Sequence, residues 1–162
     1  MNTVLIVEDE KMIRQGIKSM IQRSGVPVQT IIECSNGQMA LEVLQSQQID
    51  VMFTDIRMPK MDGITLVQEM QKFQRRPLTA VISGYDDFSY AVEMLRMGVK
   101  EYILKPIDRE QIMSIMHKME DELTHIKEEQ DTLRQAGYQQ LRFLCTSEKV
   151  SAEDEELTGR YY

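Results

Sequence analysis

The sequence predicts an α/β fold, a doubly wound five-stranded parallel sheet with helices on both faces, and three observations carry that reading. Short apolar runs alternate with segments whose apolar residues recur at helical spacing. The runs are apolar throughout rather than at every second position, as strands buried on both faces require. Each run also ends in polar or turn-forming residues.

The elements follow in order. "TVLIV" at 3–7 is the first strand, ended by Glu8 and Asp9. Ile13, Ile17, Met20 and Ile21 then repeat at helical spacing until Gly25 and Pro27. "VQTIIEC" at 28–34 is the second strand, broken by Asn36-Gly37, and Ala40, Val43 and Leu44 mark the next helix. "VMFTD" at 51–55 is the third strand. Pro59 stops it from continuing, and Asp62-Gly63 has turn or cap chemistry before a helix through Leu66, Met70 and Phe73. "LTAVIS" at 78–83 is the fourth strand. A helix through Ala91, Val92 and Leu95 follows, closed by Gly98 as a C-cap. "EYILK" is the fifth strand, and Asp108 can cap the long helix after it.

Composition narrows the function classes. The 162 residues suffice for one ordinary domain plus an extension, and 42% hydrophobic with 28% charged content is that of a soluble globular protein. No apolar run approaches a membrane span, and "MNTVLIVEDEK" has no basic segment ahead of its apolar residues. Cys34 and Cys145 are too few and too far apart for a metal site or disulfide framework, so a reducing, cytoplasmic setting is expected. Residues 1–106 hold 13 acids and 12 bases, and residues 107–162 hold 13 acids and 7 bases. Neither half has the basic excess that nucleic-acid binding needs, so no DNA contact is expected from this chain.

The polar strand ends carry the chemistry. In open parallel sheets, ligands sit outside the carboxyl ends of the strands. Glu8 and Asp9 follow strand one, Asp55 ends strand three, Ser83 ends strand four and Lys105 ends strand five. One acid at a strand end is most simply a turn cap; five polar groups at four ends form a constellation. Three converging carboxylates raise one another's pKa unless a cation holds them, and Mg²⁺ prefers a few carboxylates with waters and a phosphate. Lys105 adds a compact positive charge and Ser83 a hydroxyl donor, a set that suits phosphoryl transfer to Asp55.

Four stretches, "VLIVEDEK", "VMFTDIRMPKMDG", "VISGYDD" and "YILKP", in this order and roughly this spacing, resemble the receiver domain of two-component response regulators. The resemblance covers residues 1 to about 120. It implies a flavodoxin-like strand order of 2-1-3-4-5. It further implies that Asp55 accepts a phosphoryl group from a sensor histidine kinase. Glu8, Asp9, Asp55 and the backbone carbonyl of Arg57 would hold Mg²⁺, with Asp9 the direct ligand of the acidic pair. Ser83 and Lys105 would bind the phosphoryl oxygens, and Tyr102 matches the switch aromatic. Glu8 stands where many relatives have Asp, and Arg57 and Tyr85 occupy positions that tune phosphate lifetime. "TDIRMPKMDG" with "SGYDDFSYA" resembles the subgroup whose receiver leads to an AraC-type helix-turn-helix domain, so transcriptional output through DNA binding would lie in a C-terminal domain absent from this chain. Two rivals are weaker. A haloacid-dehalogenase-like phosphohydrolase needs a second acid two residues after its nucleophile, where Arg57 stands. A pseudo-receiver that is never phosphorylated would not need the complete polar set.

The expected organisation is a receiver domain at 1–120, a helical linker at 121–145 and an acidic polar tail at 146–162. Ile112, Met116, Met119, Leu123, Ile126, Gln130, Leu133 and Gly137 alternate four and three apart, a heptad seam with Ile112 at d and Met116 at a. Beyond about residue 120 no sheet remains to cover. The stripe then forms a parallel coiled-coil dimer, frays in solvent, or packs on a domain outside this chain. The resemblance offers the helix-four and strand-five face as a second route to a homodimer.

Overall fold

Val, Ile, Leu and Phe fill the strand cores because a parallel sheet exposes neither face to water. In the computed structural model the strands are β1 (Thr3–Val7), β2 (Thr30–Cys34), β3 (Val51–Asp55), β4 (Leu78–Ser83) and β5 (Glu101–Leu104), separated by α1 (Lys11–Gln22), α2 (Gly37–Ser46), α3 (Gly63–Met70) and α4 (Phe88–Arg96), with α5 (Arg109–Ser147) last. It describes residues 1–84 and 88–147, with side chains to residue 134 apart from Phe88. Tyr85, the Asp86–Asp87 pair and the tail from residue 148 lie outside the described residues, as does the side chain of Cys145. All four ladders are parallel, as the apolar pattern predicts, and the order is β2-β1-β3-β4-β5, as the resemblance implies.

Burial follows position in that order. Every residue of β3 and β4 is buried, whereas β2 and β5 at the edges are half-buried. Leu5, Val7 and Met52 pack with Ala40, Leu66 and Met70 of α2 and α3. On α1, Ile17 and Ile21 are buried, and on α5 Ile112, Met116 and Met119 are too. The chain reverses direction across the sheet after β2, and right-handed crossovers then put α1 on the opposite face from α2, α3 and α4.

Side-chain caps set the starts of α2, α3 and α5. Asn36 Oδ1 accepts from the Met39 N–H at 2.9 Å and Asp62 Oδ1 from the Thr65 N–H at 2.8 Å, satisfying donors at the starts of α2 and α3. Asp108 does the same for α5 through the Glu110 N–H. Gly98, at φ 91°, closes α4: its N–H donates to the Leu95 carbonyl and the Val99 N–H to that of Met94, the paired bonds of a Schellman motif.

Residues Met1–Glu120 form one compact unit, and α5 from Asp121 onward belongs to a second. The helix continues through Gly137 to Ser147. No helix among the described residues is long and apolar enough to cross a membrane.

Candidate functional site

The parallel register brings the polar strand ends together. Asp55 lies opposite Ile82, and Ser83 opposite Leu104, so the carboxyl ends of β3, β4 and β5 finish at one edge. The Lys105 N–H donates to the Ser83 carbonyl at 2.7 Å, tying the residue after β5 to the end of β4. Glu8 is fixed similarly: its N–H donates to the Cys34 carbonyl, and its own carbonyl accepts from the Arg14 guanidinium at 2.8 Å.

Three acids converge there. One ligand oxygen from each of Glu8, Asp9 and Asp55 lies within 4.8 Å of the others, with Glu8 and Asp55 buried and Asp9 exposed. Asp55 Oδ1 accepts from the Ile56 N–H at 2.8 Å, and Asp55 Oδ2 from the Lys105 ammonium at 3.0 Å. Lys105 Nζ also stands 3.5 Å from Glu8 Oε2. The Lys105 ammonium thus faces two of the three acids, Asp55 and Glu8.

Glu8 registers this crowding within a buried setting. Its side chain is 1% exposed, and Oε2 accepts no hydrogen bond, the Lys105 ammonium standing only at ion-pair range. Burial, then the adjacent Asp55 carboxylate, push its pKa up to about 8, against the lowering by the Glu10 N–H and Lys105. Burial pulls the Lys105 pKa down, but the hydrogen bond to Asp55 and the charges of Asp55 and Glu8 outweigh it, so the ammonium is held above its ordinary value. A buried carboxylate oxygen that accepts no hydrogen bond, two further carboxylates within reach and an open, exposed edge at Asp9 fit a hard divalent cation with oxygen ligands.

The other expected site residues take distinct places. Ser83 is 1% exposed at the end of β4. Arg57 is exposed, two residues beyond Asp55 on the loop leading to α3. Tyr102 lies opposite Val81 in the ladder, on the sheet face that Ser83 shares. It is half-buried against the cluster of Ile56, Val67, Val81, Met94 and Val99.

Sequence reasoning missed the parts that hold Asp55 in place. Thr54 Oγ1 donates to the Asp55 carbonyl at 3.0 Å, and the Gly63 N–H donates to the Ile56 carbonyl at 2.7 Å. The Gly37 N–H donates to the Met61 carbonyl, and a Cβ on Gly37 would lie 2.5 Å from that oxygen, so α2 and the loop after β3 touch through backbone. The only signal for these contacts is the two glycines, each directly after a capping residue.

The family model for the response regulator receiver domain matches residues 4–117. An uncharacterized transcriptional regulatory protein, YesN of Bacillus subtilis, is 31% identical over 144 residues, covering 83% of this chain and 39% of its own. The REC domain of AraT, a response regulator from Geobacillus stearothermophilus, is 37% identical at a TM-score of 0.66, covering 76% of this chain and 95% of its own. A two component transcriptional regulator AraC from Clostridium phytofermentans is 32% identical at a TM-score of 0.65, covering 77% of this chain and 97% of its own. The chain spans less than half the length of the curated relatives it matches.

Proposed function

Since the chain belongs to the response regulator receiver domain family, we propose that Asp55 accepts a phosphoryl group from the phosphohistidine of a sensor histidine kinase, beside a bound Mg²⁺. The observation that supports this most is Asp55 itself: a buried strand-end carboxylate, 3.0 Å from an ammonium and within 4.8 Å of two further acids.

The residues divide the chemistry between them. The Ile56 N–H and the Lys105 ammonium each take one oxygen of Asp55, which fixes the carboxylate for in-line attack. As an Asp55 oxygen bonds to phosphorus, the P–N bond breaks and its electron pair leaves on the imidazole nitrogen. Lys105 then turns from the carboxylate to a phosphoryl oxygen, and the Ser83 hydroxyl donates to another. Mg²⁺ would be held by Glu8, Asp9, Asp55 and the Arg57 carbonyl and would offset charge on the transferring oxygens.

Phosphorylation adds charge and acceptor oxygens at the end of β3. Ser83 moves towards them, and Tyr102, on the same sheet face, turns inward, so the α4–β5 surface reports the change as a population shift. Its readers would be a second copy of the chain and a downstream DNA-binding domain of the AraC type, in keeping with the transcriptional regulators among its relatives. A cytoplasmic setting suits the free, buried Cys34 thiol.

Incubation with Mg²⁺ and acetyl phosphate, followed by intact mass, tests this reading beside an Asp55→Asn variant. One added phosphoryl group, absent from the variant, supports it. No adduct with steady phosphate release from esters would indicate a phosphohydrolase, and neither would indicate a receiver that is never phosphorylated.

A further inference from the structure

From the charge pattern of α5 we infer that its segment from Leu123 to Leu133 pairs with the same segment of a second copy, as a parallel, in-register two-stranded coiled coil. Leu123 and Gln130 fall at a, Ile126 and Leu133 at d. Ile126 and Leu133 are 37% and 39% exposed within one chain, large apolar side chains spaced for a helical partner rather than scattered.

The flanking positions name that partner. Glu122 and Glu129 fall at g, Lys127 and Arg134 at e. In a parallel dimer each g position meets the e position five residues further along the partner, so Glu122 faces Lys127 and Glu129 faces Arg134, in both directions. An antiparallel pair would set g against g and e against e, acid on acid and base on base. The same four residues thus favour self-association in one orientation and oppose it in the other. Gln130, a polar residue at a, adds to the preference for a single register. The seam is short, and Met119, the preceding d residue, is already buried in the first unit. The pairing is therefore weak and concentration-dependent. It is independent of phosphorylation at Asp55.

Sedimentation equilibrium on the whole chain tests this, using wild type, E122K/E129K, K127E/R134E and an equimolar mixture of the two variants. Far-UV circular dichroism melts confirm that each folds, Lys127 and Glu129 being exposed positions. Wild type should dimerise, each variant alone should do so about tenfold more weakly or worse, and the mixture should recover the wild-type affinity. A Leu133→Cys chain carrying Cys145→Ser should cross-link to itself under mild oxidation, as d positions do in a parallel pair. Unchanged dimerisation of the variants would place the interface elsewhere, on the α4–β5 face, and overturn the inference. So would a monomeric wild type, a mixture that stays dissociated, or an uncross-linked Leu133→Cys chain.

Discussion

A Cβ built on Gly63 would stand 2.1 Å from the carbonyl oxygen of Asp55 and 3.0 Å from the Asp55 carbonyl carbon and the Ile56 Cα. All three are backbone atoms of the segment that carries the phosphoacceptor candidate. They cannot swing aside as the tip of a side chain can. The first residue of α3 is therefore packed directly beneath Asp55, and Asp62 holds it there through its cap to Thr65.

Gly63→Ala should accordingly lower stability by about 1–3 kcal/mol, the cost of overpacking a closed site. Urea denaturation gives the stability change. Because the backbone of Asp55 must shift to admit the methyl, phosphorylation by acetyl phosphate should slow as well. A variant as stable and as fast as wild type would show that the loop relaxes without moving Asp55.

Lys105→Ala separates the ion pairing of this ammonium from the role proposed for it towards the phosphoryl group. Lys105 pairs with Asp55 at 3.0 Å and stands 3.5 Å from Glu8, so it competes with any cation for the same oxygens. Without it, Mg²⁺ should bind several-fold more tightly by calorimetry. The phosphorylation rate should fall about tenfold or more, through loss of a donor to the phosphoryl oxygens. Equal loss of both would mean that Lys105 chiefly holds the fold of the site.

The sheet was legible because its strands are apolar throughout and end in turn residues; Glu8, Asp55, Ser83 and Lys105 stood out because polar groups closed those runs. Legibility fell where packing rather than pattern decides. Ala91, Val92 and Leu95 suggest the inner face of α4, yet Met94 is fully buried and Leu95 is 53% exposed. The Val99 N–H bonds to the Met94 carbonyl in the closing turn, and the helix packs in that phase. Phe73 fits the α3 pattern, but α3 ends at Met70 and Phe73 reaches the core from the following turn. β2 starts at Thr30 rather than Val28, where an edge strand has one neighbour to define its beginning. That Glu8 Oε2 accepts no hydrogen bond had no sequence signal, since it arises from three elements meeting.

His117 makes a contact that stability measurements can isolate. Its Nε2 lies 3.0 Å from the Ser24 carbonyl, and a Cβ built on Gly25 would lie 3.7 Å from the same ring nitrogen, an ordinary van der Waals contact at the turn leaving α1. Ser24 Oγ donates to the Ile21 carbonyl and accepts from the Val26 N–H, so the turn is already ordered from within. His117→Ala should cost about 1 kcal/mol in urea denaturation, the usual worth of one such hydrogen bond. The turn precedes β2, at the edge of the sheet opposite Asp55, so phosphorylation should be unchanged. A slower rate would reveal coupling between the two edges.

The raised pKa of Glu8 gives the protein a defined pH response. The metal-free folded state holds this proton up to about pH 8, whereas an unfolded glutamate releases it near its ordinary value of 4.5. Between those values the folded state binds more protons than the unfolded one, so the stability that Glu8 contributes is complete below about 4.5 and declines as pH rises towards 8. Divalent cation reverses the sign. Binding needs Glu8 ionised and releases its proton, so affinity for Mg²⁺ should rise with pH and level off above about 8. Thermal melts with excess chelator should therefore show the melting temperature falling across this range, and melts with Mg²⁺ should show the stabilisation by metal growing. Glu8→Gln should flatten both trends while leaving the fold intact, since the amide keeps the shape of the side chain and loses only its ionisation. Retained pH dependence in that variant would show that Glu8 is not its source.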